Sequence, residues 1–256
     1  MKNLSVFVLF LFCLTFTLNA QVTTSGISGK VTAEGELLIG ATVQAVHEPS
    51  GTTYGTVTNA DGRYSLQGMR TGGPYTVEVS YVGFQKAVYK NITLQLGETY
   101  LLDVKLTESL SLDEVVVTAS KAALFNSQKT GAAQNFNQSQ IQATPSVSRS
   151  IFDVTKMNPL GVNTASGMSF AGSSNKYNSF QIDGITNNDV FGLSSSGTNG
   201  GQAGANPISL EAIEEIQVVI APYDVRQGGF TGGGINAITK SGTNTFHGSA
   251  YWYYNN

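Results

Sequence analysis

Few side chains in this chain of 256 residues could form a catalytic centre. The chain has two histidines and one cysteine, and no Ser/His/Asp, Cys/His or paired-carboxylate set stands out at a useful spacing. Cys13 lies inside an apolar N-terminal run. His47 has no paired His, Asp or Glu in the pattern of a zinc site, so we interpret it as a surface residue of a strand. We therefore expect a protein that is not an enzyme and that uses no cofactor.

Two other segments contain residue types found in phosphate or metal sites, and we interpret both as structural. Gly228–Gly234 is rich in glycine like a phosphate-binding loop, but it lacks the Gly-Lys-Ser/Thr ending of a P-loop and the spacing of a Rossmann fingerprint. Such a run lets the backbone turn tightly and approach a wall closely. Asp183 and Asp189 lack the spacing of an EF-hand, so we interpret them as turn residues and predict no metal site.

The clearest binding chemistry belongs to the backbone of a β-branched run, Leu112–Ala119. Runs of Val and Thr favour an extended backbone. An extended segment with polar flanks can add as a strand to the exposed sheet edge of another protein, and backbone hydrogen bonds then supply most of the affinity. The alternative interpretation is one more strand of the β-rich region upstream.

This run resembles the TonB box of TonB-dependent outer-membrane receptors. In that family an energy-transducing protein of the inner membrane pulls on the box, so the resemblance implies a TonB-type transducer in the periplasm as a partner. We expect Asp113–Ala119, within the box segment at residues 109–120, to be mobile at rest, because its polar flanks leave little to hold it to either neighbour. The residues that carry the resemblance are Asp113, Glu114, Val115, Val116, Val117, Thr118 and Ala119.

The charge balance and the N-terminus limit the possible functions further. Charged residues make up 12% of the chain, against a usual quarter or so, and the net charge of −3 offers no basic surface for nucleic acid. Residues 1–20 have the pattern of a secretory signal, with Lys2, the apolar run Leu4–Leu18 and a small residue before Gln21. The alternative is a membrane anchor, but the run is short for a span of about 20 residues. Cleavage would remove Cys13 and leave no thiol.

Residues 21–108 are predicted to form an all-β sandwich of about seven short strands. Tyr75, Val77, Val79 and Tyr81 share one face of the clearest strand. The tetrapeptide 59–62 (Asn-Ala-Asp-Gly) is a turn signal, because Asn and Asp bond their own backbone and Gly adopts positive φ. Short alternating strands with frequent turns are typical of a sandwich. The other predicted strands lie at 27–31, 41–46, 53–58, 64–66, 88–96 and 102–106.

This block resembles the carboxypeptidase-regulatory-like, transthyretin-type sandwich. The segments that carry the resemblance are 29–31, 38–43, 58–66 and 75–83. That name comes from a peptidase accessory domain and implies no peptidase here. The related sandwich class includes starch-binding modules, so glycan contact through Tyr54, Tyr64 or Tyr81 stands as an alternative to core packing or ordinary surface placement.

The rest of the chain has a different texture. Residues 121–140 contain few large apolar side chains and are predicted to be a mobile linker. Residues 141–243 are predicted to form a mixed α+β domain. Its elements are a helix over Val147–Met157, a strand at 180–182 before the hairpin signal Asp183-Gly184, a short helix capped by Ser209, and strands at 215–221 and 235–239.

Residues 141–243 resemble the plug domain of TonB-dependent receptors. The pieces Gln181–Ile185, Ile213–Val218 and Gly232–Lys240 carry the match. Ile220-Ala221-Pro222 stands where Arg-Gly-Pro is common. This departure and the sandwich in front resemble the SusC-type and Oar-like branches of Bacteroidetes more than the iron-siderophore branch. The resemblance implies that the plug motif comprises Asp183, Gly184, Gly232, Gly233, Gly234, Ile235, Asn236, Thr239 and Lys240.

Residues 244–256 alternate again, and their dense aromatics suit the girdle of the first strand of a membrane β-barrel. A soluble edge strand is the alternative. We expect the N-terminal part of a longer outer-membrane transporter, whose plug gates energised uptake of a glycan, peptide or other large nutrient. The implied partners are the transducer, its own barrel, a surface substrate-binding lipoprotein and the outer membrane, with the sandwich in the periplasm. The alternative function is a secreted carbohydrate-binding or adhesion module.

Overall fold

The computed structural model describes residues 22–108, 132–146, 148–164, 167–222, 227–246 and 248, together with the backbone of 115–118. The predicted signal at 1–20 and most of the predicted strand at 244–256 lie outside the described residues. The described chain is mostly β, with three five-stranded sheets and one two-stranded sheet. It forms two units, each with its own hydrophobic core. We call residues 22–108 together with the strand at 115–118 the sandwich, and residues 132–246 the C-terminal unit.

The sandwich has two sheets, as the alternating pattern predicts. In one sheet β1 pairs with β2 and β5, and β8 and β9 lie parallel to β1. The other has the order β10-β7-β6-β3-β4. The strands are β1 (Ser25–Ala33), β2 (Glu36–Leu37), β3 (Thr42–His47), β4 (Thr52–Val57), β5 (Arg63–Met69), β6 (Gly72–Ser80), β7 (Ala87–Leu94), β8 (Thr99–Leu101), β9 (Val104–Leu106) and β10 (Val115–Thr118).

One core fills the space between these two sheets. Alternate residues of β3 and β6 point into it, and Val31 of β1 and Val77 of β6 are completely buried. Burying each such side chain contributes about 1.5–3 kcal/mol to folding. The predicted turn at 59–62 is confirmed, because Asn59 Oδ1 accepts hydrogen bonds from the N–H groups of Asp61 and Arg63, and Gly62 has a φ of 63°.

The predicted surface position of His47 is wrong. His47 is only 4% exposed, because it continues the inward-facing series of Val43 and Ala45 along β3. Its ring centroid lies 4.8 Å from that of Tyr75, and Nδ1 lies 2.6 Å from Ser50 Oγ. Burial, and then the charge of Arg70, lower the pKa of His47.

The C-terminal unit is built on a mixed sheet of order β11-β16-β17-β14-β15. β17 runs parallel to β14 and antiparallel to β16. The elements are β11 (Ala132–Asn137), α1 (Gln138–Ala143), α2 (Ile151–Thr155), β12 (Gly161–Thr164), β13 (Gly167–Phe170), β14 (Ser179–Ile182), β15 (Ile185–Thr186), β16 (Ile213–Ile220) and β17 (Gly233–Thr239), with 3₁₀ turns at Asn175–Tyr177, Gly201–Ala203 and Leu210–Ala212.

The predicted linker is wrong over residues 132–140. Ala132–Asn137 pairs with β16 along its whole length, and Phe136 is 1% exposed in the second core. Asn137 then caps α1 in a reciprocal capping box with Gln140. The C-terminal unit therefore includes residues 132–140, and the remaining linker residues lie outside the described part.

The predicted helix over Val147–Met157 is shorter in the structure. α2 begins after Ser150, whose hydroxyl accepts a hydrogen bond from the N–H of Phe152. Arg149 has a φ of 50°, which a right-handed helix excludes, so the helix cannot begin earlier. The predicted cap at Ser209 is confirmed, with Glu211 in the first turn.

Candidate functional site: an edge strand and a glycine-rich sheet

Four residues of the predicted box, Val115–Thr118, form β10. They pair in parallel with the first half of β7, from Val115 opposite Ala87 to Thr118 opposite Lys90. The expectation that this run is held by neither neighbour is therefore wrong for these four residues. The physical reason is that the edge of β7 would otherwise present unpaired backbone groups. Asp113, Glu114 and Ala119 lie outside the described residues.

β10 is an edge strand. Among the strands that the structure describes, β7 is its only partner, so its other side presents backbone N–H and C=O groups to a further strand. That arrangement suits strand addition by a partner protein. Binding of a transducer to these residues stays a prediction.

The turn Asp183-Gly184 joins β14 to β15, as the hairpin signal predicts. Both residues have positive φ, 49° and 79°, the geometry of the tight hairpin turns that Asp-Gly favours. Asp183 Oδ1 accepts a hydrogen bond from Thr239 N at 2.8 Å, and Oδ2 accepts one from Thr239 Oγ1 at 2.8 Å. The carboxylate thus ties the hairpin to the end of β17. No group of three or more His, Cys, Asp or Glu side chains in the described part of the chain could hold a metal ion.

The glycines before and within β17 allow close packing. A Cβ on Gly232 would lie 2.3 Å from Asn178 Oδ1, one on Gly233 would lie 2.4 Å from the ring of Phe170, and one on Gly234 would lie 2.7 Å from the ring of Phe230. Asn178 Oδ1 also accepts a hydrogen bond from Gly233 N at 2.9 Å. The wall that these glycines approach belongs to their own unit.

Ile235, Asn236 and Thr239 lie on β17, and Lys240 directly follows it. Ile235 is buried in the second core, and Lys240 N donates a hydrogen bond to Ala212 O at 2.8 Å. Asn236 Oδ1 accepts from Gly184 N at 3.3 Å, and Asn236 Nδ2 donates to Val22 O at 3.3 Å. The structure thus brings all nine predicted motif residues together at β17 and the adjoining hairpin.

Sequence reasoning missed a polar contact between the two units. Glu215 is 3% exposed, and its carboxylate accepts hydrogen bonds from Leu96 N and from Asn135 Nδ2. Gln217 Nε2 donates to Leu96 O at 2.9 Å. Burial raises the pKa of Glu215 to about 7. The signal available in the sequence is a pair of adjacent acids, Glu214 and Glu215, inside an otherwise apolar strand.

A cavity of about 820 Å³ also lies between the two units. His47 and Thr71 of the sandwich line it, with Arg149, Glu214 and Lys240 of the C-terminal unit. Arg149 forms an ion pair with Glu211, which also lines the cavity. The cavity therefore contains charges of both signs and selects no single ligand class.

A long loop between β15 and β16 exposes apolar side chains. Val190 is 88% exposed and Phe191 is 83% exposed. Asp189 fixes the local turn, because its carboxylate accepts hydrogen bonds from Ser194 N at 2.5 Å and Phe191 N at 3.0 Å. These backbone hydrogen bonds lower the pKa of Asp189, and the bond from Ser194 N has the largest effect. Asp189 is a turn residue, as predicted.

Within the described residues, no helix has both the length and the apolar character needed to cross a membrane. The carboxypeptidase regulatory-like domain family matches residues 26–107, which covers the sandwich.

Two curated proteins are similar to this chain over longer stretches. The TonB-dependent transporter Oar of Myxococcus xanthus is 29% identical over 204 residues, which make up 76% of this chain and 18% of Oar. The TonB-dependent receptor P26 of Formosa agariphila is 35% identical over 131 residues, or 50% of this chain and 12% of that receptor. The chain therefore spans less than a fifth of the length of either relative.

Among solved structures, a catechol 1,2-dioxygenase from Pseudomonas arvilla C-1 has a TM-score of 0.28 and 13% identity, covering 35% of this chain and 54% of that one. A likeness at that score has no bearing on function.

Proposed function

The chain is an N-terminal portion of a TonB-dependent receptor, and from this premise we propose that it gates energised uptake of a large nutrient across the outer membrane. The C-terminal unit is the plug, and it blocks the lumen of a barrel that the rest of the receptor supplies. The sandwich and β10 face the periplasm, and the signal at 1–20 is cleaved on export. The activity is mechanical, without enzyme chemistry.

The observation that carries this proposal is the position of β10. Among the described strands it is an edge strand whose one partner is β7, and in the chain it follows residues 22–108 and precedes the C-terminal unit. A transducer that adds a strand to the other side of β10 gains its affinity from backbone hydrogen bonds. A pull on β10 then reaches the C-terminal unit through residues 119–131.

The alternative of a secreted glycan-binding module has weaker support. Tyr64, one of the three candidate contacts, is 4% exposed and donates its hydroxyl to Leu102 O at 2.7 Å. Tyr54 and Tyr81 pack against the sandwich core.

The transported substrate is a glycan, a peptide or another large nutrient, and a surface lipoprotein would assist its capture.

Val116→Pro tests the proposal in the intact receptor. Proline removes one N–H donor and fixes φ, which a paired strand tolerates poorly. We expect energised uptake to be abolished while substrate still binds at the cell surface. The matched control is Val116→Thr, which keeps the donor and the β-branching, and it should transport almost normally.

Two outcomes would count against the box assignment. Normal uptake by the proline variant would show that no transducer pairs with this run. Loss of surface binding together with uptake, or loss of the sandwich's thermal unfolding transition, would show that β10 is only a structural strand of the sandwich.

A further inference from the structure

Leu96 joins the sandwich to the C-terminal unit. It lies two residues beyond the end of β7, and its side chain is completely buried although it belongs to neither hydrophobic core. Its backbone N–H and C=O both bond to side chains of the other unit. Since buried backbone groups require partners, separation of the two units would oblige water to replace these bonds.

Three polar side chains of the C-terminal unit form a hydrogen-bond network around the backbone of Leu96. Leu96 N lies 3.1 and 3.2 Å from the two carboxylate oxygens of Glu215, and Leu96 O accepts from Gln217 Nε2 at 2.9 Å. Asn135 Nδ2, on the neighbouring strand, donates to Glu215 Oε1 at 2.9 Å. A β-bulge in β16 between Ile213 and Glu215 shifts the register at this point. Bulges of this kind re-aim side chains.

The charged groups near Glu215 come from both units. Burial is the largest effect and raises the pKa of Glu215. The hydrogen bonds from Leu96 N and Asn135 Nδ2 oppose this rise, and repulsion from Glu98 on the sandwich and Glu214 on the same strand adds to it. Glu214 in turn touches the sandwich, since a Cβ on Gly72 would lie 2.6 Å from its Oε1. Burial raises the pKa of Glu214, and Lys240 opposes that rise. The hydrogen-bond partners of Glu215 in the described part of the chain are uncharged groups.

We propose that the contact between Leu96 and Glu215 is a proton-linked latch that holds the sandwich on the C-terminal unit and loosens when Glu215 ionises. A carboxylate that is buried without a cation favours its neutral form. The latch itself does not depend on the proposed function, because both of its halves lie in the described chain, and only the effect of a pull on β10 rests on that function.

The direction of the pH dependence follows from the two states of Glu215. The pKa is about 7 in the docked state, against 4.5 for the free side chain. A raised pKa means that the docked state holds the proton more tightly, so the contribution to docking is full below about pH 4.5 and is lost as the pH rises through about 7. Between these values the docking equilibrium constant should fall by about tenfold per pH unit.

The latch and β10 lie at opposite ends of one strand. β10 pairs with β7 at Ala87–Lys90, and β7 ends at Leu94 just before the latch. Tension applied to β10 can therefore act on the sandwich and, through it, on the docked contact. Release of the latch would remove one contact between the units, and the hydrogen bond from Asn236 Nδ2 to Val22 O is another.

Hydrogen exchange of the Leu96 amide in the whole chain tests the proposal between pH 5 and pH 8. In the wild type, the protection factor of this amide should fall by about tenfold per pH unit up to about pH 7. Glu215→Gln keeps the shape and one acceptor but has no proton to lose, so the slope of Leu96 protection with pH should be much smaller, with only the part due to Glu214 remaining. The Val77 amide in the sandwich and the Val218 amide in the C-terminal unit are internal controls that should show no such slope.

Gln217→Ala separates the strength of docking from the titration of Glu215. It removes the donor to Leu96 O and keeps the carboxylate, so protection of Leu96 should be lower at every pH while the slope remains. A wild-type Leu96 protection factor without a slope would overturn the proposal. An equal slope in Glu215→Gln would also overturn it. If Glu215→Gln disturbs the control amides, the slope in Gln217→Ala decides instead, and its absence there would refute the latch.

Discussion

Gly233→Ala should destabilise the C-terminal unit through one steric contact. An added Cβ would lie 2.4 Å from Cδ2 of Phe170, which is completely buried in the second core. Neither the backbone of β17 nor a buried aromatic ring can give way cheaply. Overpacking of this kind costs about 1–3 kcal/mol. At about 2–4 °C per kcal/mol for a chain of this size, the expected loss in Tm is about 2–12 °C, measured by thermal unfolding of the whole chain.

A matched control separates the steric effect from the loss of a glycine. Among the described residues, Gly228 has no neighbour within 4 Å of an added Cβ, and its φ is not positive, so Gly228→Ala should leave Tm within about 2 °C of the wild type. Phe170→Leu should cost stability by itself. It should also reduce the further cost of Gly233→Ala, with a coupling energy of about 0.5–3 kcal/mol between the two sites. Equal Tm values for the two alanine variants, or strictly additive effects in the double variant, would refute the packing argument.

The sandwich could be predicted from the sequence because its strands alternate strictly. Val43 and Ala45 on β3 and Val77 and Val79 on β6 alternate with residues that are less buried, and the turn at 59–62 has unambiguous chemistry. The predicted surface position of His47 rests on its residue type alone, whereas the alternation along β3 places its side chain inward. The period of the strand was the better guide, and it predicts an inward side chain.

The start of the C-terminal unit could not be predicted in the same way. Ala132–Asn137 has one large apolar side chain, Phe136, and residue types that disfavour strands. Its partner β16 lies about 80 residues later, and the pairing supplies the stability that local preference does not. The sequence also leaves open whether the run at 115–118 is a strand of the sandwich, and its pairing with β7 agrees with that alternative. Its composition was correctly interpreted as extended, but composition does not determine which edge it occupies.

In the candidate site, too, features with a local sequence signal could be predicted, and features that depend on contacts between distant residues could not. The hairpin at Asp183-Gly184 follows from local turn chemistry, and its position is confirmed. The contact of Leu96 with Glu215 joins residues 119 positions apart, and neither residue belongs to a local motif. The glycines of β17 were correctly assigned a structural role. The aromatic rings that require them, Phe170 and Phe230, depend on tertiary packing and have no local signature.

Two further predictions concern processing and acid stability. The exported protein should begin at Gln21, so its intact mass should lack residues 1–20; retention of these residues would refute cleavage. Asp153 should make stability fall in acid. Burial opposes the effect, but hydrogen bonds from Lys156, Ser146 and Ser148 lower the pKa of Asp153 to about 2, from a usual 3.8. A depressed pKa gives a contribution that is present above about pH 4 and is lost as the pH falls through about 2. We expect about 1 kcal/mol after solvent screening, because the carboxylate is only partly buried. Urea unfolding at pH 5 and pH 2 measures this loss, and Asp153→Asn should remove that part of the pH dependence. An unchanged difference between the two pH values in Asp153→Asn would show that other carboxylates cause the acid sensitivity.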